Sequence, residues 1–216
     1  MSRSSKPATR ECGSVTVEFV LCGLLMAPLL LGVTGVGLAL VRDIQVQQVA
    51  RDAGHMYAQG IDFSPVQTGN RNLLMRIARS LGITETSPSK AIILTTVRFV
   101  TSIDCKAGGY SNGCANQGSY AISKRVVLGD SVNIKSAFGQ PPAMDSSGNV
   151  QQSVMLNDAR DRVDPFSPAI AALWQAQWTA NQQNGQLAYV SEVIVTSSDL
   201  AWTGFAGSYK TAAAIF

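Results

Sequence analysis

Three groups of residues have types and spacings that could do chemistry. In the first, Gly13 stands five positions before Glu18, and Glu18-Phe19 opens a run of 23 residues, Phe19 to Val41, without one charge. A carboxylate at the edge of so apolar a stretch costs on the order of a few kcal/mol, which makes an intramembrane acid a functional candidate. The plainer alternative is an interfacial Glu18 that snorkels to headgroups. In the second group, Cys105 and Cys114 flank a Gly-rich stretch that can bring their Cα atoms within disulfide range. The third holds His55 and the triplet Asp158, Asp161 and Asp164.

Neither member of the third group makes a site on its own terms. His55 is the only histidine and has no identifiable catalytic partner, so it is expected as a solvated residue at the polar juncture of a helix. The three aspartates lack the spacing and the glycine of a calcium loop, and Arg160 and Arg162 intervene; an exposed helix face is expected. No histidine or second cysteine pair lies near Cys105 and Cys114, which leaves a disulfide and not a metal. Gly108-Gly109 belongs to a hairpin loop and not to a strand-to-helix phosphate loop. Cys12 and Cys22 have no credible partner. No catalytic residue, metal or cofactor is expected.

The elements that position these residues follow from periodicity. Residues 1–13 read as a disordered, removable leader. Residues 14–58 read as one long helix whose span, about 19–41, covers roughly 35 Å, enough for a hydrocarbon core of about 30 Å. Pro28 lies inside it and removes a backbone donor, which predicts a kink or a loosened turn. Gly32, Thr34, Gly35 and Gly37 offer a flat face for close helix packing, or are simply the glycines common in spans. Beyond Val41 the helix turns amphipathic, with Ile44, Val46, Val49, Ala50, Ala53, Met56 and Tyr57 on its apolar side.

The remainder, 59–216, reads as an extracytoplasmic α+β head with a small antiparallel sheet and short helices. A helix is predicted over 70–81, with Asn70 as N-cap, Leu73, Leu74, Ile77, Ala78 and Leu81 on one face, and Gly82 as its stop. Residues 91–103 read as a strand, 104–118 as a loop, 119–128 as its hairpin partner and 132–134 as a third strand. Residues 136–155 read as a long surface loop, 156–162 and 168–180 as short helices, with Trp174 and Trp178 in the core. Strands are expected at 187–196 and 209–215.

Charge sets the orientation. Of the net +3, the leader supplies +2 (Arg3, Lys6 and Arg10 against Glu11), leaving +1 downstream. After the span, Arg42 is matched by Asp43 and Arg51 by Asp52, so the positive-inside bias puts the N-terminus in the cytoplasm. No second run is long enough to span, and no basic stripe or interleaved aromatic cluster suggests a nucleic-acid partner. A secretory signal would need a shorter apolar core, and neither Cys12 nor Cys22 sits where a lipoprotein cysteine would.

The polar leader ending in Gly13, with Glu at the fifth following position and an aromatic sixth, resembles the processing site of type IV prepilins. Arg10-Glu11-Cys12-Gly13, then Ser14 to Val17, then Glu18-Phe19-Val20 is similar to the start of TadE-like minor pseudopilins of tight-adherence (Flp) pili, over residues 10–60. The resemblance implies that a prepilin peptidase cuts between Gly13 and Ser14 on the cytoplasmic side. It implies that Glu18 and Phe19 serve assembly, and that Pro28 accompanies a stretch that melts in the fibre. It further implies partners: other pilin and pseudopilin subunits, an inner-membrane assembly platform with its ATPase, a secretin, and membrane lipid. The head is longer than that of a major Flp pilin, which argues for a minor, non-enzymatic subunit. The rival from another class is a signal-anchored, single-pass envelope protein whose outer domain binds a ligand or catalyses a reaction.

Overall fold

The computed structural model describes residues 12–130, 133–163, 187–196 and 209–215. Helix α1 runs from Cys12 to Ala58 without interruption, 47 residues or about 70 Å. Its second half packs on the head through Val46, Val49, Ala50, Ala53 and Tyr57, a stripe at i, i+3, i+4 spacing. Ile44, expected on that stripe, is 53 % exposed because it falls on the opposite side of the helix, about 170° from the Val46–Val49 line.

After Gly60 the chain reverses. Helix α2 (Thr68–Ala78), extended by a 3-10 turn at Arg79–Leu81, runs back antiparallel along α1 and stops at left-handed Gly82 (φ 68°). Asn70 does not cap it. Gln67 holds the N-cap position, and Asn70, one turn inside, donates Nδ2 to the Asp62 carbonyl at 2.9 Å. Leu74, Ala78 and Leu81 are buried, whereas Leu73 turns outward.

Among the described residues, four antiparallel strands follow in the order β2-β1-β3-β4: β1 Lys90–Phe99, β2 Tyr120–Gly129, β3 Leu187–Thr196 and β4 Tyr209–Ile215. β1 ends at Phe99, earlier than the expected 103. Thr101 then makes a reciprocal capping box with Asp104 and starts helix α3 (Ser102–Ala107), so Cys105 lies on a helix and not in a loop. A register shift between Thr96 and Val97 lets Ser123 bulge from β2, its hydroxyl donating to the Thr96 carbonyl at 3.1 Å. The expected third strand at 132–134 is not one: Asn133 and Ile134 are irregular, and Val132 lies outside the described residues.

Seven consecutive residues of β1 are buried, Ala91 to Val97, so the sheet must be covered on both faces. One face, with Ile92, Leu94, Val126, Leu128, Val193 and Val195, meets α1 and α2. The other is covered by residues 134–163, which corrects the expected surface loop. Phe138, Val150, Met155 and Leu156 of that stretch are buried against Val97, Ile122 and Val190. Helix α4 occupies Gln152–Asn157, with a 3-10 turn at Ala159–Asp161 in place of the single helix expected over 156–162. Glycines make this coverage possible. At Gly148 (φ 83°) an added Cβ would stand 2.1 Å from the Arg125 carbonyl, the approach that lets the Gly148 carbonyl accept from the Arg125 amide at 2.7 Å. The expected helix at 168–180 and both Trp174 and Trp178 lie outside the described residues.

Candidate functional site

The first half of α1 carries the candidate site. Every side chain from Val15 to Thr34 is exposed, Phe19 by 78 % and Leu24 by 68 %, so among the described residues no element of the head covers this apolar cylinder. A free cylinder of that length has no stable place in water; lipid or other helices must surround it. Pro28 does not break the helix, which continues through it. Thr34 folds its hydroxyl onto the Leu30 and Leu31 carbonyls at 2.9 and 3.0 Å, burying its polarity within the helix.

Gly13, Ser14, Glu18 and Phe19 fall in the first two turns of α1. Ser14 and Glu18 are four apart, hence on one face and separated by about 6 Å along the axis. Phe19 points about 100° away from Glu18. The arrangement presents a carboxylate one turn above the Gly13–Ser14 bond, at the rim of an apolar surface.

In the head, Cys105 and Cys114 are joined by a disulfide with Cα atoms 5.4 Å apart. Two residues past Cys114 the chain is anchored by Asn116, fully buried, which donates Nδ2 to the Met155 and Asp158 carbonyls at 2.8 and 2.9 Å. Arg162 Nε in turn donates to Asn116 Oδ1 at 2.7 Å. Disulfide, α4 and the 159–162 turn therefore form one unit against β2.

His55 is exposed on α1. The aspartate triplet is not an exposed face. Asp158 caps the 3-10 turn and pairs with Arg160 at 2.8 Å, Asp161 is fully buried, and Asp164 lies outside the described residues. Among the described residues no cluster of His, Cys, Asp or Glu could hold a metal.

Sequence reasoning missed a buried charged group on the sheet face opposite α1. Arg125 Nε donates to Thr95 Oγ1 at 3.1 Å, Nη1 to the Gly139 carbonyl at 2.8 Å and Nη2 to Ser136 Oγ at 3.1 Å. Ser136 Oγ donates in turn to Glu192 Oε2, and the Ala137 amide donates to Glu192 Oε1 at 3.0 Å. Burial pushes the Glu192 carboxyl above its usual range, against the pull of Ser136, Ala137 and Arg125. Burial likewise lowers Arg125, with Glu192 and Asp161 opposing. Asp161, whose two oxygens lack a hydrogen bond of normal geometry, is pushed up to about 7 by burial and by Asp158, while Arg125 and the Ile122 amide pull it down. The signal was present as single charges inside two apolar strands, Arg125 in YAISKRVVLG and Glu192 in LAYVSEVIVT.

A second feature lies where α1 leaves the sheet. Tyr57, Asp62, Lys124, Asn149 and Tyr189 line an open cleft of about 340 Å³, with Lys124 Nζ on Asp62 Oδ1 at 2.9 Å.

These features define a class: a protein with, among the described residues, one long, uncovered apolar helix suited to anchor it in a membrane and an α+β head built onto the same helix. Within that class, residues 13–55 match the family of TadE-like proteins, from the glycine before the apolar run to the amphipathic half of α1. The chain matches no curated protein and no solved structure.

Proposed function

We propose that this chain is a minor pseudopilin of a tight-adherence (Flp) pilus system, cut between Gly13 and Ser14 by a prepilin peptidase and assembled through Glu18. The observation that carries the reading is the TadE-like match beginning at Gly13, over a helix whose Val15–Thr34 side chains are all exposed. A structural role in a pilus system, without catalysis, is what that family suggests.

Gly13 and Ser14 lie in the first turn of α1, so cleavage requires that turn to unwind. Gly13 helps, since glycine weakens a helix by about 1 kcal/mol relative to alanine. The cut converts the Ser14 amide into an ammonium one turn from the Glu18 carboxylate. Within a single subunit the two charges share a face and can pair. In a row of subunits, the Glu18 of an incoming span can take the Ser14 ammonium of its neighbour instead. An unmatched charge at that depth is costly, so the exchange fixes the axial register of stacking. Phe19 and the apolar residues after it form the surface between spans.

The leader cations against the matched charges after Val41 support a cytoplasmic N-terminus in the inner membrane and an extracytoplasmic head. A Cys105–Cys114 disulfide agrees with an oxidising compartment for that head. Partners on this reading are other pilin subunits, the peptidase, the assembly platform and lipid. The test is Glu18→Val: the variant should be cleaved and inserted normally yet fail to enter fibres. Fibre incorporation at the wild-type level would refute the pairing.

A further inference from the structure

Because α2 runs antiparallel to α1, it returns the chain to the end of the apolar span. Arg42, the first residue after Val41, donates Nη1 to the Ser80 carbonyl at 3.4 Å. Lys90 Nζ donates to the Leu81 carbonyl at 3.2 Å, which brings the start of β1 to the same level. If Phe19–Val41 fills the hydrocarbon core, Ser80 sits in the headgroup layer, which is about 5–7 Å deep on each side. Arg79 is its neighbour and Arg76 lies one turn, about 5 Å, farther out.

Both arginines are exposed, and neither has an ion pair among the described residues. They line a groove of about 460 Å³ with Met75, Thr84 and Glu85, and exposed Leu73 stands beside it on α2. The acids at this level are already engaged. Glu85 pairs with Arg71 at 3.1 Å, and Asp130 accepts from the Ser89 amide at 2.9 Å and from Asn133. Asp43 is half-buried on α1. A pair of open guanidinium groups at the level of lipid phosphates has the chemistry for those phosphates.

We propose that the groove bounded by Arg76, Arg79 and residues 83–85 is a phospholipid-headgroup site, through which the head rests on the leaflet from which α1 emerges. Arg79 and, one turn farther out, Arg76 take phosphate oxygens through their long side chains. Anionic lipid is preferred, because its net charge is not cancelled within the headgroup as that of a choline lipid is. The proposal depends on the span crossing the bilayer and not on pilus assembly.

The test uses the full chain in bilayers of phosphatidylcholine, with and without phosphatidylglycerol. A nitroxide is placed at Thr86→Cys, beside the groove, or at exposed Gln59→Cys, just past the end of α1 farthest from the span, with Cys12 and Cys22 replaced. Relaxation of the lipid ³¹P signal by the label at 86 should rise by roughly threefold or more when phosphatidylglycerol is present. Arg76→Glu with Arg79→Glu should abolish that rise while leaving the protein membrane-bound and its head resistant to protease. The label at 59 should give no effect in either lipid. Equal relaxation from 86 and 59, or a response at 86 that is indifferent to phosphatidylglycerol or to the double reversal, would overturn the site. Failure of Glu18→Val to block assembly would leave it untouched.

Discussion

Tyr57 Oη and Thr96 Oγ1 lie 2.7 Å apart in a buried contact that ties the spine helix to the central strand. Tyr57 also packs edge-on against Tyr189 of β3 at 5.5 Å between ring centroids. A spine that transmitted pulling force to a head would load this joint. Tyr57→Phe keeps the ring but leaves Thr96 Oγ1 without this partner, so it should lower stability by about 1–2 kcal/mol. The urea midpoint of the full chain in detergent reads this directly. No change would mean that the hydroxyl pair adds nothing to the joint.

The Cys105–Cys114 bridge closes a ten-residue loop around α3. On the chain-entropy argument its loss removes roughly 2.5–3 kcal/mol. Cys114→Ser should therefore lower the melting temperature of the head by many degrees. It should also expose Cys105, now wholly buried, to alkylation at moderate denaturant. A thiol assay across a urea series measures both.

Asp161 gives the head an unusual pH response. Its folded-state pKa, about 7, lies above the unfolded value near 3.9, so the folded state binds the extra proton between those values. Stability is therefore greatest on the acidic side and declines as pH rises through 7, by about 1–3 kcal/mol in all. Glu192, also raised by burial, acts with the same sign. Thermal unfolding followed from pH 5 to 8 should show a falling midpoint, and Asp161→Asn should flatten most of the slope. A midpoint that climbs over this range would contradict the assignment.

Gly148→Ala should be among the most damaging single methyl additions. The added Cβ meets the Arg125 carbonyl at 2.1 Å, and the residue is held at φ 83°. Losing the Gly148–Arg125 backbone bond would lift residues 144–150 from the outer edge of β2 and free a strand edge for aggregation. A stability loss above about 2 kcal/mol, with increased light scattering on heating, is expected.

The extents of α1, β3 and β4 were legible because each is a long segment with one dominant period or a continuous apolar run. The cover over the second face of the sheet was not, although AIIL at 91–94 already requires a strand buried on both faces. The Gly, Pro, Ser and Gln content of 136–155 masks three buried apolar anchors, Phe138, Val150 and Met155, that are too sparse to show a period. Asn70 looked like a cap because its type suits one, but its amide is taken by the Asp62 carbonyl across the turn, a tertiary contact invisible to local spacing. The Ser14–Glu18 relationship was readable as an i, i+4 pair, whereas the Arg125–Ser136–Glu192 chain depends on strand register and on a segment folding over it.

The measurement that bears most directly on the central claim is intact-mass and N-terminal peptide spectrometry of the protein recovered from its native membrane. The account predicts a mature chain beginning at Ser14, and an uncleaved chain when Gly13 is replaced by leucine. A functional protein that still carries Met1, or one cut after Gly37-Leu38-Ala39 as a small-x-small secretory signal would be, would contradict it.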